Sequence, residues 1–268
     1  MENVMLAFLF TLFAGLATGV GSLLAFFTKT TNTKFLSFSL GLSAGVMIYI
    51  SMIEIFFEAK DSLVAALGDT EGYWVTVLAF FGGMLLIGII DKVIPKHSNP
   101  HEVKNVEDME KPGSALNDPE LMKIGMFTAL AIAIHNFPEG IATFMSTIQD
   151  PTIGFAIAVA VAIHNIPEGI AVSVPIYYAT GDKKRAFRLS FLSGLAEPIG
   201  AIIAFLVLMP FLNDFVMGVI FAMVAGIMVF ISLDELLPAA KKYDETHLSI
   251  YGVIAGMAIM AASLILLS

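Results

Sequence analysis

Two stretches of this sequence set a histidine, an asparagine and a glutamate inside runs that are otherwise apolar: AIAIHNFPEGIA, ending at Ala142, and AVAIHNIPEGIA, ending at Ala171. On a helix His135 and Glu139 are four apart and Asn136 and Glu139 three apart, so each pair shares a face, and His164, Asn165 and Glu168 repeat the set. An imidazole nitrogen, an amide oxygen and a carboxylate oxygen are thereby presented from each of two helices. Pro138 and Pro167 add polarity, because a proline within a helix cannot bond back four residues and frees the carbonyl of Ile134 or Ile163. Glu139, Glu168 and Glu197 are equally spaced along the chain, and Glu197 likewise has a proline, Pro198, beside it.

The surroundings of these residues are set by composition. At 57% hydrophobic and 14% charged residues over 268 positions, with a mean hydropathy of +0.86, the chain is far more apolar than a soluble domain, whose charged share is about a quarter. It reads as an all-α membrane protein. The absence of cysteine removes disulfide and thiolate chemistry. Eight apolar segments are long enough to cross about 30 Å of hydrocarbon: roughly 4–27, 35–57, 73–94, 121–148, 152–179, 186–209, 213–238 and 248–267. The opening segment lacks a basic flank and a small-residue cleavage site and is expected to be the first span, not a signal peptide. The polar stretch of about 95–120 has no apolar period and is expected to be a flexible loop within one transmembrane domain covering 1–268. It carries His97 and His101, four apart, which could hold a metal loosely.

Thirteen of the 14 lysines and arginines fall in the loops after spans one, three, five and seven, and only Lys60 lies on the other side. The positive-inside rule then puts that loop in the cytoplasm and both termini outside it. The outer face carries Glu2, Glu58, Asp61, Asp69, Glu71, Asp150 and Asp214, a field that would concentrate cations.

A second duplication is less obvious. AGVMIYISMIEIFFEA, 44–59, matches AGIMVFISLDELLPAA, 225–240, at seven identical positions. The copies lie five crossings apart, and an odd number of crossings reverses direction, so the expected architecture is an inverted repeat with its site near the midplane. In each copy a Met, a Ser and a Glu follow at i, i+4 and i+7: Met47, Ser51 and Glu54, then Met228, Ser232 and Glu235. The whole reads as a 3+2+3 arrangement, spans 1–3 and 6–8 related by inversion around central spans 4 and 5.

Depth and charge turn these observations into chemistry. One span plus a short turn is about as long as the repeated interval, so Glu139, Glu168 and Glu197 are expected at one depth, in helices broken or bent there by their prolines. Inward of the outermost few residues of each span, the acids and histidines are Glu54, His135, Glu139, His164, Glu168, Glu197, Asp234 and Glu235, with no lysine or arginine among them. Six acids without a counter-ion would cost several kcal/mol apiece if left ionised, so they must bind cations, take up protons or reach water. Glu54, Asp234 and Glu235, nearer span ends, suit a pathway as well as a ligand role. Imidazole with carboxylate suits Zn2+, Fe2+, Mn2+ or Co2+, whereas Na+ and Mg2+ sites favour oxygen alone; a thioether from Met47 would favour the softer ions.

Two other classes fit less well. The helical zinc-protease signature has two histidines four apart with a glutamate beside the first, and H-x-x-x-E supplies no separate general base. A proton or sodium antiporter would explain buried acids but not two histidines matched with two asparagines.

HNFPEG, HNIPEG, the AEPIG around Glu197 and the LDELLP of span seven resemble the ZIP (Zrt/Irt-like) metal transporters over all eight spans, and most closely a bacterial branch of that family. The resemblance implies a transporter, not an enzyme, that takes up divalent metal ions into the cytoplasm across the cytoplasmic membrane. Zinc would be the cargo, with iron, manganese and cobalt as alternatives; no cofactor and no nucleic acid is implied. It further implies a binuclear site between spans four and five. One ion would use His135, Glu139, His164 and Glu168, with Met47 matching a family ligand; the other would use Asn136, Asn165 and Glu197, with Glu139 and Glu168 bridging both. A homodimer is implied too, and Gly15 and Gly19 with their small neighbours in span one give a face for close helix packing.

Overall fold

The computed structural model describes residues 2–26, 33–93, 119–211, 213–242 and 247–267, and among these the regular elements are all helical. They run α1 (Glu2–Ala25); α2 (Thr33–Ile50), a π-helical turn (Ser51–Ile55) and α3 (Phe56–Leu67); α4 (Asp69–Val93); α5 (Pro119–Gln149); α6 (Pro151–Thr180); α7 (Lys183–Gly194), α8 (Ala196–Ile203), a second π turn (Ala204–Leu208) and a 3-10 turn (Met209–Phe211); α9 (Asp214–Ile231), a third π turn (Ser232–Leu236) and α10 (Leu237–Lys242); and α11 (Leu248–Leu267). Seven stretches are long and apolar enough to cross a membrane: Asn3–Leu24, Ser37–Leu67, Asp69–Ile90, Pro151–Ile170, Lys183–Phe211, Asp214–Lys241 and Leu248–Leu266. The other long helix, α5, has 31 residues and exceeds the roughly 20 a crossing needs; its hydropathy is diluted by HNFPEG. The expected loop of about 95–120, with His97 and His101, lies outside the described residues up to the start of α5 at Pro119.

Local chemistry explains the tight turns. Asp150 caps α6, its carboxylate accepting from Thr152 N at 2.7 Å, with Pro151 in the first turn, where its missing N–H costs nothing. Gly181 ends α6 in the left-handed region at φ 67°, and Asp182 then caps α7 by accepting from Lys184 N at 2.8 Å.

Of the three helices expected to be broken or bent beside their prolines, one is broken. Span six breaks at Leu195, between α7 and α8, which puts Pro198 in the first turn of α8. Helices α5 and α6 instead run on through Pro138 and Pro167. One missing backbone bond in a helix of this length is borne by the packing around it. The unpredicted irregularities are the π turns, two of which contain the acids Glu54 and Asp234 with Glu235. Span two also reaches Leu67, beyond its expected end.

Helices in lipid gain little from the hydrophobic effect and associate through close backbone contact at small residues. Here glycines make those contacts, and the contacts repeat. A Cβ on Gly45 of α2 would collide with Val253 O of α11, and one on Gly226 of α9 with Phe80 O of α4; Gly256 meets Leu42 O as Gly83 meets Met223 O. One constant displacement along the chain carries Gly45 to Gly226 and Leu42 to Met223, and another carries Phe80 to Val253 and Gly83 to Gly256. Helix α2 thus corresponds to α9, and α4 to α11. The same holds nearer the centre. Gly21 of α1 meets Ile166 O of α6 as Gly200 of α8 meets Phe137 O of α5; Gly169 meets Thr18 O as Gly140 meets Glu197 O; and Gly15 and Gly194 each meet the other's carbonyl. Again one displacement takes α1 to span six throughout, and one takes α5 to α6. The π turns beginning at Ser51 and Ser232 are related by the displacement that takes α2 to α9. The small face of α1 is spent on α6 and α7.

Between the helices lies a large apolar cluster that includes Met47, Ile50, Phe144, Met145, Ile157, Phe221 and Met228, with a smaller one of Ile132, Val172, Ile176 and Ala186. The outward side is apolar as well: Leu78 and Leu85 of α4 each keep 66% of their surface exposed, as a lipid-facing helix would.

Candidate metal site

The two HNxPEG copies sit on neighbouring helices, and the turn at Asp150 folds α6 back onto α5. Glu139, His164, Asn136, Asn165, Glu168 and Glu197 are all buried, none more than 3% exposed. His164 Nε2 lies 3.1 Å from Glu139 Oε2, which joins the second copy to the first. Asn165 Nδ2 donates to Ala14 O of α1 at 2.9 Å and to the Glu197 carboxylate. Three helices are thereby tied at one amide. Glu197 reaches this point because its backbone lies against Gly140, where any side chain would hold α8 away from α5.

Asn136 occupies the matching place in the first copy. With Nδ2 on Ser193 O at 3.4 Å it makes the counterpart of the Asn165–Ala14 bond, since Ser193 and Ala14 are related by the displacement that takes α1 to span six. In that orientation its Oδ1 faces Ile132 O at 3.1 Å and Glu168 Oε2 at 3.2 Å, oxygens that repel unless a cation or a proton stands between them. Turned over, the amide donates to both of those oxygens. Asn165 Oδ1, by contrast, is buried with no hydrogen-bond partner, a state that costs about 1–3 kcal/mol and that an ion would relieve.

The remaining residues divide as follows. His135 belongs to α5, but its side chain lies outside the described set. Met47 is fully buried in the apolar cluster, and Met228 is buried there too. Glu54, half-buried in its π turn, lines a cavity of about 270 Å³ together with Glu58, Ser146, Gln149 and Asp150, and Gln149 donates to Glu58 across it. A second cavity of about 300 Å³ is lined by Glu54, Tyr49 and Ile153. Asp234 is exposed and Glu235 partly buried in the matching π turn. Among the described residues no three His, Cys, Asp or Glu side chains converge as a cage for one ion; the donors are drawn together across helices in pairs. Ser146 and Gln149 are functional candidates that motif spacing does not single out. A signal for Ser146 exists all the same: Asn136, Glu139, Thr143 and Ser146 recur at three and four residues, one polar stripe along α5 that runs from the buried cluster toward Asp150, just past its end, and the acid-lined cavity.

Comparison with known proteins bears on what such a cluster handles. A family described as "ZIP Zinc transporter" matches residues 91–264. The protein named "Zinc transporter ZupT" from Oceanobacillus iheyensis is 78% identical over the full length of both chains. Proteins of the same name from Lysinibacillus sphaericus, 72% identical over 99% of this chain and 98% of that one, and from Clostridium perfringens, 60% identical over 99% and 97%, follow it.

Proposed function

The chain belongs to the ZIP zinc transporter family, and on that premise we propose that it carries zinc into the cytoplasm through the buried His/Asn/Glu cluster between α5 and α6. It is a transporter in a membrane, and zinc is the cargo its relatives are named for. The observation that carries the reading is the burial of three glutamates, two asparagines and His164 in one place, joined across helices by His164–Glu139 and Asn165–Glu197. Carboxylate and imidazole together are a zinc donor set, and iron, manganese or cobalt would fit the same atoms.

In the proposed arrangement eight spans, α5 included, form a 3+2+3 inverted repeat around α5 and α6. The repeated glycine contacts and the paired π turns support it. The cluster would hold two ions. His135, Glu139, His164, Glu168 and Met47 would serve the first; Asn136, Asn165 and Glu197 would serve the second, and Glu139 and Glu168 would bridge. Approach to the site follows the polar stripe of α5 from the acid-lined cavity at Glu54, Glu58 and Asp150, which lies on the non-cytoplasmic side if the basic loops face inward. Charge draws the ion to that mouth. The pairs His164–Glu139 and Asn136–Glu168 then exchange their contacts with each other for bonds to the metal, whose charge the carboxylates offset. Glu235, the counterpart of Glu54, would line the inner end with Asp234. A homodimer, implied by the family, would have to use faces other than the small side of α1.

The test is zinc flux into proteoliposomes. Glu139→Ala and Glu168→Ala should each abolish it at matched protein levels, whereas His164→Ala should weaken one site and shift selectivity among metals. Near-normal zinc flux in either glutamate variant would remove the shared-ligand site from consideration.

A further inference from the structure

The constant displacements that relate the two halves of the fold assign a counterpart to each buried polar residue of the site. Asn136 pairs with Asn165, Glu139 with Glu168, Met47 with Met228 and Glu54 with Glu235, like with like. Glu197 is the exception. Its counterpart is Thr18 of α1, and the pairing is visible in the packing, where Gly140 meets Glu197 O as Gly169 meets Thr18 O.

The surroundings of Thr18 add a second observation. Its side chain is fully buried, and its hydroxyl oxygen has no hydrogen-bond partner. Three other buried threonines return their hydroxyl to the carbonyl four residues back, Thr11 to Ala7 O at 2.8 Å, Thr76 to Gly72 O at 2.8 Å and Thr147 to Thr143 O at 2.6 Å, whereas Thr143, next along the polar stripe of α5 from Glu139, shares the state of Thr18. For Thr18 that carbonyl is Ala14 O, which already accepts the amide of Asn165. The site itself therefore competes for the acceptor the hydroxyl would use. The hydroxyl lies instead at the break in span six, where a Cβ on Gly194 would come within 2.9 Å of it. Gly194 follows Ser193, whose carbonyl holds Asn136.

We propose that Thr18 is the two-fold counterpart of Glu197 in the metal site, and that its hydroxyl supplies the cargo ion, directly or through one bridging water, with an uncharged oxygen where Glu197 supplies a charged one. A symmetric site would hold a fourth glutamate. Replacing it by a hydroxyl leaves the site one negative charge short, which weakens its hold on a divalent ion and favours release. An oxygen donor contributes at this position without adding a carboxylate that must be neutralised when the ion leaves. The inference rests on the cluster of α5, α6 and α8 being the zinc site.

Zinc affinity of the purified full-length protein, measured by competition with a fluorescent chelator, tests it. Thr18→Val keeps the shape and removes the oxygen, and should weaken zinc binding roughly five- to tenfold, the worth of one buried polar contact. Thr18→Ser should stay within about twofold of the parent, since the oxygen remains. Exchanging the pair, Thr18→Glu with Glu197→Thr, should recover affinity lost in Glu197→Thr alone, because the carboxylate has moved to the equivalent position. Equal affinity in the Val, Ser and parent proteins would overturn the proposal, as would an exchange variant that melts like the parent and binds no better than Glu197→Thr. Glu168→Ala separates the two levels. If it binds zinc like the parent, the site reading fails and this inference with it; if it loses zinc while Thr18→Val does not, only the role of Thr18 falls.

Discussion

Asn165→Asp puts an oxygen in place of the amide nitrogen that ties α1, α6 and α8 together. Two donated bonds vanish: one to Ala14 O, an ordinary bond at 2.9 Å, and one to the Glu197 carboxylate. The first is worth about 1 kcal/mol and the second, to a charged acceptor, about 1.5–3 kcal/mol. Some of the loss returns, because Ala14 O is then free to accept the Thr18 hydroxyl, which recovers about 1 kcal/mol. The net loss without metal is therefore roughly 1.5–3 kcal/mol, with a further cost from two acidic groups side by side in a buried region. For a chain of this size that lowers the melting temperature by on the order of 5–10 °C. Zinc should reverse much of the loss, since an ion between two carboxylates stabilises the folded state, by about 2.7 kcal/mol at a hundredfold excess over its Kd. The assay is thermal melting in detergent with a chelator and with zinc. In a Thr18→Val background the metal-free loss should grow by about 1 kcal/mol, the coupling expected of two groups that share one carbonyl. Equal melting shifts with chelator and with zinc would refute the placement of the ion at Asn165 and Glu197, and purely additive effects would refute the competition for Ala14 O.

The other predictions are more direct. Gly45→Ala and Gly226→Ala should each destabilise by about 1–3 kcal/mol, because each pushes a methyl group into a carbonyl, whereas Gly82→Ala, which meets nothing within 4 Å, should be neutral or stabilising by up to about 1 kcal/mol in a melting series. Zinc binding should release protons and weaken on acidification, because the ligands bind metal deprotonated; calorimetry in buffers of different ionisation enthalpy would show a buffer-independent heat if no proton is released. Single cysteines at Ser98 and Ser268, in a chain with none of its own, should label from outside intact cells at Ser268 only, and the opposite pattern would reverse the direction of transport.

Periodicity governs what is legible in the sequence. HNxPEG written twice, and glutamates at equal intervals, locate Asn136, Glu139, His164, Asn165, Glu168 and Glu197 without coordinates, because a helix converts spacing into a shared face. The repeat of 44–59 in 225–240 likewise locates the π turns, though not their form. An i to i+5 turn arises where a residue is accommodated by packing, and nothing in SMIEI or SLDEL announces it. Proline is a weaker signal of a break than its chemistry suggests. Pro138 and Pro167 lose one bond each and stay helical, while Pro198 marks a break because it falls in a first turn. Thr18 is invisible to spacing, since its significance depends on Asn165, far along the chain, occupying the carbonyl of Ala14.

The repeated glycine contacts bear on how the chain enters the bilayer in the first place. A bundle whose first three helices pack against their neighbours as the last three do gains nearly the same energy whichever way up it is inserted. Packing therefore casts no vote on orientation, and the decision falls to positions where the counterparts differ. Glu58 stands where the other copy has Ala239, and Asp61 where it has Lys242. Lysines such as Lys242, read at the membrane surface during synthesis, determine which end of the bundle faces the cytoplasm.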